Sequence, residues 1–144
     1  MIDIKIKAAA GAKIPVYKSS GASGADISAH VRDPITLKPG ETILVPTGIS
    51  IELPDGYEAQ IRPRSGLAIN NGITLLNSPG TIDSDYRGEI KIIMTNLGQN
   101  DFTITDGMRI AQMIVNRTYQ GNFIVVDDIG TTERNKGGFG HSGV

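Results

Sequence analysis

Asp83, Asp85, Tyr86 and Arg87 stand within five residues of one another in the stretch GTIDSDYRGEIKII, which runs from Gly80 to Ile93. Two carboxylates, a phenolic hydroxyl and a guanidinium are parts from which proton transfer beside an anionic substrate can be built. The second half of the stretch alternates apolar and polar residues, with Lys91 on the face opposite Ile90 and Ile92. That is how a half-buried strand reads. The acidic residues therefore precede a strand, in a turn closed by Gly88, and a turn on a rigid sheet is a common place to hold a catalytic group. The same composition also describes a polar hairpin tip.

Two other segments carry polar groups suited to phosphate. In Arg62-Pro63-Arg64-Ser65-Gly66 a serine and a glycine open a short helical stretch, offering a hydroxyl and free backbone N–H groups. In Gly107-Met108-Arg109-Ile110-Ala111-Gln112, Arg109 and Gln112 lie on a strand-like run. Solvated arginines and a charged edge strand explain the same patterns without a ligand. Ser65 lacks the G-x-S-x-G elbow of a covalent nucleophile. Asp83 and Asp85 as a glycosidase pair would have to face each other from neighbouring turn positions, and the chain has no tryptophan for a sugar platform. Metal-assisted attack by water on phosphorus suits the residue types better.

The elements that must position these groups are almost all strands. Strand patterns run over Ile2–Ile6, Ile14–Tyr17, Ala25–Ala29, Thr42–Leu53, Tyr57–Arg62, Ile73–Leu76, Ile90–Asn96, Phe102–Thr105, Met108–Val115 and Phe123–Val126, mostly bounded by Gly, Pro, Asn or Asp. Short strands separated by turn residues predict an all-β sandwich or barrel. One short helix is expected from Ser65 to about Asn70, with Ser65 as its cap and Gly72 as its stop.

At 144 residues the chain fits one domain, here residues 1–126, with a C-terminal tail, residues 127–144, too poor in apolar side chains to form its own core. A net charge of -1 gives no general attraction for nucleic acid or an anionic membrane. There is no cysteine, and His30 and His141 lie far apart, so thiolate and structural zinc sites are not expected. No run approaches the ~20 apolar residues of a membrane span, and the N-terminus reads as a strand, so a soluble cytoplasmic protein is expected. The eighteen glycines exceed what hairpin turns need and suggest close backbone approach to a ligand.

Five segments, in order, resemble the five motifs of the trimeric dUTPase family: Ala22–Ile27, Pro63–Ala68, Gly80–Glu89, Gly107–Gln112 and Arg134–Gly143. The resemblance implies a jelly-roll-like subunit acting as a homotrimer, with sites at subunit interfaces, that hydrolyses dUTP to dUMP and pyrophosphate with Mg2+. It implies that Asp83 is the general base for a water attacking the α-phosphorus and that Gln112 positions phosphate or that water. By the same resemblance Tyr86 packs on the deoxyribose and excludes a 2′-hydroxyl. Asn77, Gly80, Thr81 and Ile82 read uracil with main-chain groups, and Lys91 reaches the same site. Arg64, Ser65 and Gly66 would hold phosphates, and Asp26 would meet Mg2+ through water or pair with Arg109. In the tail, Arg134 would contact phosphate, Phe139 would stack on the base, and Gly140, His141 and Ser142 would complete a lid.

Asn135 departs from the pattern, standing where the family usually has glycine, and His141 takes a position often filled by serine. Asparagine tolerates a left-handed backbone better than most residues, so the first change is expected to be mild. Two rival readings remain. A dCTP deaminase of the same fold needs a glutamate five residues past the motif-three glycine, where this chain has Ile93. A nucleotide-sensing scaffold would bind without turnover, but Asp83 is present.

Overall fold

A computed structural model describes residues 2–138 of the chain. Its elements follow from apolar runs interrupted by turn residues. In chain order they are β1 (Lys5–Ala8), β2 (Val16–Tyr17), β3 (Ala25–Ser28), β4 (Ile35–Leu37), β5 (Thr42–Pro46), β6 (Ile49–Glu52) and β7 (Tyr57–Arg62). After these come α1 (Ser65–Asn71), β8 (Ile73–Leu75), β9 (Gly80–Ile82), β10 (Lys91–Asn96), β11 (Phe102–Ile104) and β12 (Arg109–Arg117). The all-β expectation with one short helix holds.

Two antiparallel sheets carry the functional segments. One has the order β2-β3-β12-β7-β9 and the other β5-β10-β8; the pairs β1-β6 and β11-β4 complete the assembly. Alternation along each strand sends one face inward, and the core is almost wholly aliphatic. Ile27, Leu37, Val45, Ile49, Ile90, Ile92, Met94, Ile104 and Ile110 are fully buried. β-branched side chains suit this setting because their restricted rotamers pack against a pleated surface. The buried Asn96 satisfies its own polarity, donating to the Leu37 and Asn100 carbonyls and accepting from Gly98 N–H.

Several boundaries differ from expectation. The run Thr42–Leu53 is two strands, not one, because the chain turns at Thr47-Gly48, where Gly48 has φ +68°. β1 is shifted toward the C-terminus of Ile2–Ile6, and β4 lies in a segment too short to register as a strand in sequence. Arg64, extended at φ -92°, is the N-cap of α1, so Ser65 is its first helical residue and no side chain caps the helix. The expected stop is observed, since Gly72 is left-handed and its N–H returns to the Ala68 carbonyl. Phe123–Val126 forms no strand and is largely exposed, because nothing among the described residues pairs with or covers it.

Candidate active site

β9 is the outer strand of its sheet, so one edge of the Gly80–Ile82 backbone carries unpaired N–H and C=O groups. Its other edge pairs with β7 through Gly80 with Ile61, Thr81 with Gln60 and Ile82 with Ala59. A turn follows at once, in which Tyr86 N–H donates to the Asp83 carbonyl at 3.1 Å. The Arg87 guanidinium caps it by donating to the Ser84 and Tyr86 carbonyls. Asp83 is exposed and enters none of the ion pairs formed among the described residues. It lines an open cleft of about 420 Å³ together with Thr81, Ile82, Tyr86, Glu89 and Lys91, while Leu44, Ile90 and Ile93 supply the apolar wall.

The Tyr86 ring is held by its hydroxyl, which donates to the Glu89 carbonyl at 3.0 Å. A side chain at residue 88 would collide with that hydroxyl, which accounts for Gly88. Lys91 stands 3.7 Å from the Glu89 carboxylate. Asn77 and Gly80 border a smaller pocket that Lys91, Thr81 and Ile82 share with the main cleft. A Cβ on Gly80 would lie 3.0 Å from Asn77 Nδ2, so the backbone is closely walled there.

A second polar cluster lies where β3, β12 and the start of α1 meet. Asp26 accepts from Arg109 Nη1 at 2.7 Å and stands 3.4 Å from Arg64 Nε. Arg64 also donates to the Arg109 carbonyl at 2.8 Å. Gln112 donates to the Pro63 carbonyl at 2.9 Å, and Gly24 lets the chain pass so close that an added Cβ would strike the Gln112 amide oxygen. Ser65 and Gly66 are exposed beside this cluster. Among the described residues no group of three or more acidic or histidine side chains converges to hold a metal. Because Arg109 and Arg64 take both carboxylate oxygens, Asp26 fits a cation only through water.

The chain does not bring these two clusters together. β9 runs antiparallel to β7, so Asp83 leaves the sheet level with Glu58, while Arg64 follows the opposite end of β7. Six residues separate those levels, or about 20 Å of extended strand. In the tail, Arg134 closes a local turn by donating to the Gly137 carbonyl at 2.8 Å. Asn135 is left-handed at φ +44°, the conformation its glycine-like position calls for. Phe139, Gly140, His141 and Ser142 lie outside the described residues. Sequence reading missed Glu89 and the Thr47-Gly48 corner behind the turn, because their part is set by contacts distant in the chain.

The family model described as dUTPase matches residues 10–143. The chain belongs to the dUTPase family. It is 57% identical to the deoxyuridine 5'-triphosphate nucleotidohydrolase of Caldanaerobacter subterraneus subsp. tengcongensis, covering 99% of both chains. It is 54% identical to the protein of the same name from a Thermoanaerobacter species, again over 99% of each. Among solved structures, the Staphylococcus bacteriophage 80alpha dUTPase with dUpNHpp superposes with TM-score 0.91 at 22% identity, covering all of both chains. A dUTPase from phage phi11 of S. aureus, described with a structural Mg(II) ion, gives 0.80 at 18% identity over 88% of this chain and 98% of its own. These superpositions establish the jelly-roll-like fold of the dUTPase family for this chain.

Proposed function

We propose that the protein hydrolyses dUTP to dUMP and pyrophosphate, and that Asp83 is the general base. The reading rests most on an exposed, unpaired carboxylate held at the end of an edge strand, beside an aromatic ring fixed by its own hydroxyl. Asp83 takes a proton from a water whose oxygen bonds to the α-phosphorus. The bond from that phosphorus to the bridging oxygen breaks, and pyrophosphate leaves. A placed carboxylate contributes on the order of 10²–10⁴ in rate to such a step. The free edge of β9 supplies donors and acceptors in a fixed order for uracil. Cytosine, with that order exchanged, would leave buried groups unpaired. Tyr86 packs against the sugar and bars a 2′-hydroxyl.

The residues of the second cluster, Arg64, Ser65, Gly66 and Gln112, hold the phosphates, with Arg134 and the Phe139–Ser142 segment closing over them. Mg2+ bound with the triphosphate would offset phosphate charge, and Asp26 would meet it only through water. A phosphate attacked by the water at Asp83 cannot also be held by an Arg64 about 20 Å away along the same subunit's sheet. That separation supports a homotrimer in which each site takes its two halves from different copies. The absence of regular elements and buried core residues beyond Arg117 among the described residues supports a division into a β domain, residues 1–126, and a functional tail, residues 127–144. No helix among the described residues is long and apolar enough to cross a membrane. We place the protein in the cytoplasm, where its reaction would limit uracil incorporation into DNA and supply dUMP for thymidylate synthesis.

The test is pyrophosphate release from dUTP by the purified protein with Mg2+, with ammonia release from dCTP measured in parallel. Pyrophosphate without ammonia is expected. Ammonia from dCTP, or binding of dUTP with no turnover, would overturn the reading. Ile93 stands on the cleft wall where a deaminase needs a proton-transferring glutamate, and an alkyl side chain cannot do that work.

A further inference from the structure

The turn that carries Asp83 and Tyr86 is held differently at its two ends. At the entry, Ile82 is in ladder register with Ala59 of β7. At the exit, residues 88–90 precede β10, whose register begins only at Lys91 with Pro46. What fixes the exit is the Thr47-Gly48 corner between β5 and β6. Gly48 N–H donates to Glu89 Oε1 at 2.9 Å, the Thr47 hydroxyl donates to the Ile90 carbonyl, and Ile90 N–H donates to the Ile49 carbonyl at 2.8 Å. The corner is itself rigidly specified. Thr47 is fully buried, and Gly48 is left-handed with no space for a side chain, since a Cβ would lie 2.6 Å from His30 Cδ2 and 2.8 Å from Ala12 Cβ.

Glu89 thus works at both of its ends. Its carboxylate is pinned to the corner, and its main-chain carbonyl takes the Tyr86 hydroxyl. We propose that Glu89 is a positioning residue for dUTP hydrolysis, transmitting the rigidity of the Thr47-Gly48 corner to the Tyr86 ring and so to the choice between deoxyribose and ribose. The inference rests on the function proposed above. The hydrogen bond from Gly48, not the ion pair with Lys91, carries the effect. Lys91 Nζ is 3.7 Å away, and the two side chains are 45% and 34% exposed, so solvent weakens their attraction. A backbone N–H donated to a carboxylate at 2.9 Å is the stronger contact.

The experiment compares Glu89→Ala and Glu89→Gln in the full chain, reading kcat/KM for dUTP and UTP and amide hydrogen exchange of residues 83–88 without nucleotide. Glu89→Ala is expected to lower the dUTP-to-UTP ratio about tenfold or more and to speed exchange of the Tyr86 N–H, because a misplaced wall no longer rejects the extra hydroxyl. Glu89→Gln keeps an oxygen for Gly48 and is expected to stay within about threefold of the parent in ratio, with parental exchange. Ile104→Val, in the core away from the cleft, should lower Tm and leave the ratio unchanged. A folded Glu89→Ala protein with the parental ratio and parental exchange would overturn the proposal, as would Glu89→Gln falling as far as Glu89→Ala. If the parent protein left dUTP intact, the proposed function would fail, and the exchange measurement would still decide whether Glu89 holds the turn.

Discussion

Asp83 has its main-chain oxygen engaged by Tyr86 N–H and its side chain on an open cleft, so the backbone is fixed while the carboxylate stays available. Asp83→Asn keeps the size of the side chain and removes its basicity. We expect a non-hydrolysable dUTP analogue to bind nearly as tightly and kcat to fall about 10²–10⁴-fold, measured by calorimetry and by pyrophosphate release. Tyr86→Ala removes the ring proposed to pack against the sugar. The UTP-to-dUTP ratio of kcat/KM should rise about tenfold or more, and an unchanged ratio would place sugar selectivity elsewhere. Both residues were nominated through the likeness of Gly80–Glu89 to the third family motif, since a carboxylate and an aromatic before an alternating strand describe a polar hairpin tip equally well. Glu89 was not, since its meaning depends on Gly48, forty-one residues away.

At the scale of elements, glycine marks where strands and site residues approach one another. Gly24 gives Gln112 room, and an alanine there would place its Cβ against the Gln112 amide oxygen and 3.3 Å from Gln112 Cβ. Gly24→Ala should therefore displace Gln112 from the Pro63 carbonyl and lower kcat about 10–100-fold. The lost hydrogen bond would reduce stability by only about 1 kcal/mol, so the check is turnover beside Tm. The strands at the centre of the sheets were readable from period-two alternation, as in Ile90–Lys91–Ile92 and Tyr57–Arg62. The break at Thr47-Gly48 was missed because the apolar alternation continues across the corner in LVPTGISIEL and outweighed the turn signal of Pro46 and Gly48, whose positive φ makes the corner. The helix stop at Gly72 could be read from residue type, whereas its start could not. Ser65 is a favourable cap in isolation, but the extended Arg64 takes the N-cap position and the helix begins at Ser65, one residue earlier than a serine cap would set it.

For the whole molecule, the decisive feature is that the Asp83 turn and the Asp26–Arg64–Arg109 cluster lie at opposite ends of β7. Beyond Arg117 the described chain has no regular element and leaves Tyr119, Phe123, Val125 and Ile129 exposed, so its own subunit gives it little cover. Truncation before Arg134 should leave a folded assembly, judged by circular dichroism and sedimentation, with little dUTP turnover; full activity would remove the tail from the site. Sites completed between copies make a sharper demand. Asp83→Asn and Arg64→Ala chains, each nearly inactive alone, should complement one another when unfolded together and refolded as a 1:1 mixture. Random assembly would give about a quarter of the sites a sound half from each copy. Pyrophosphate release from dUTP at roughly a quarter of the parent rate is the result predicted, and a mixture no more active than its two components would contradict it.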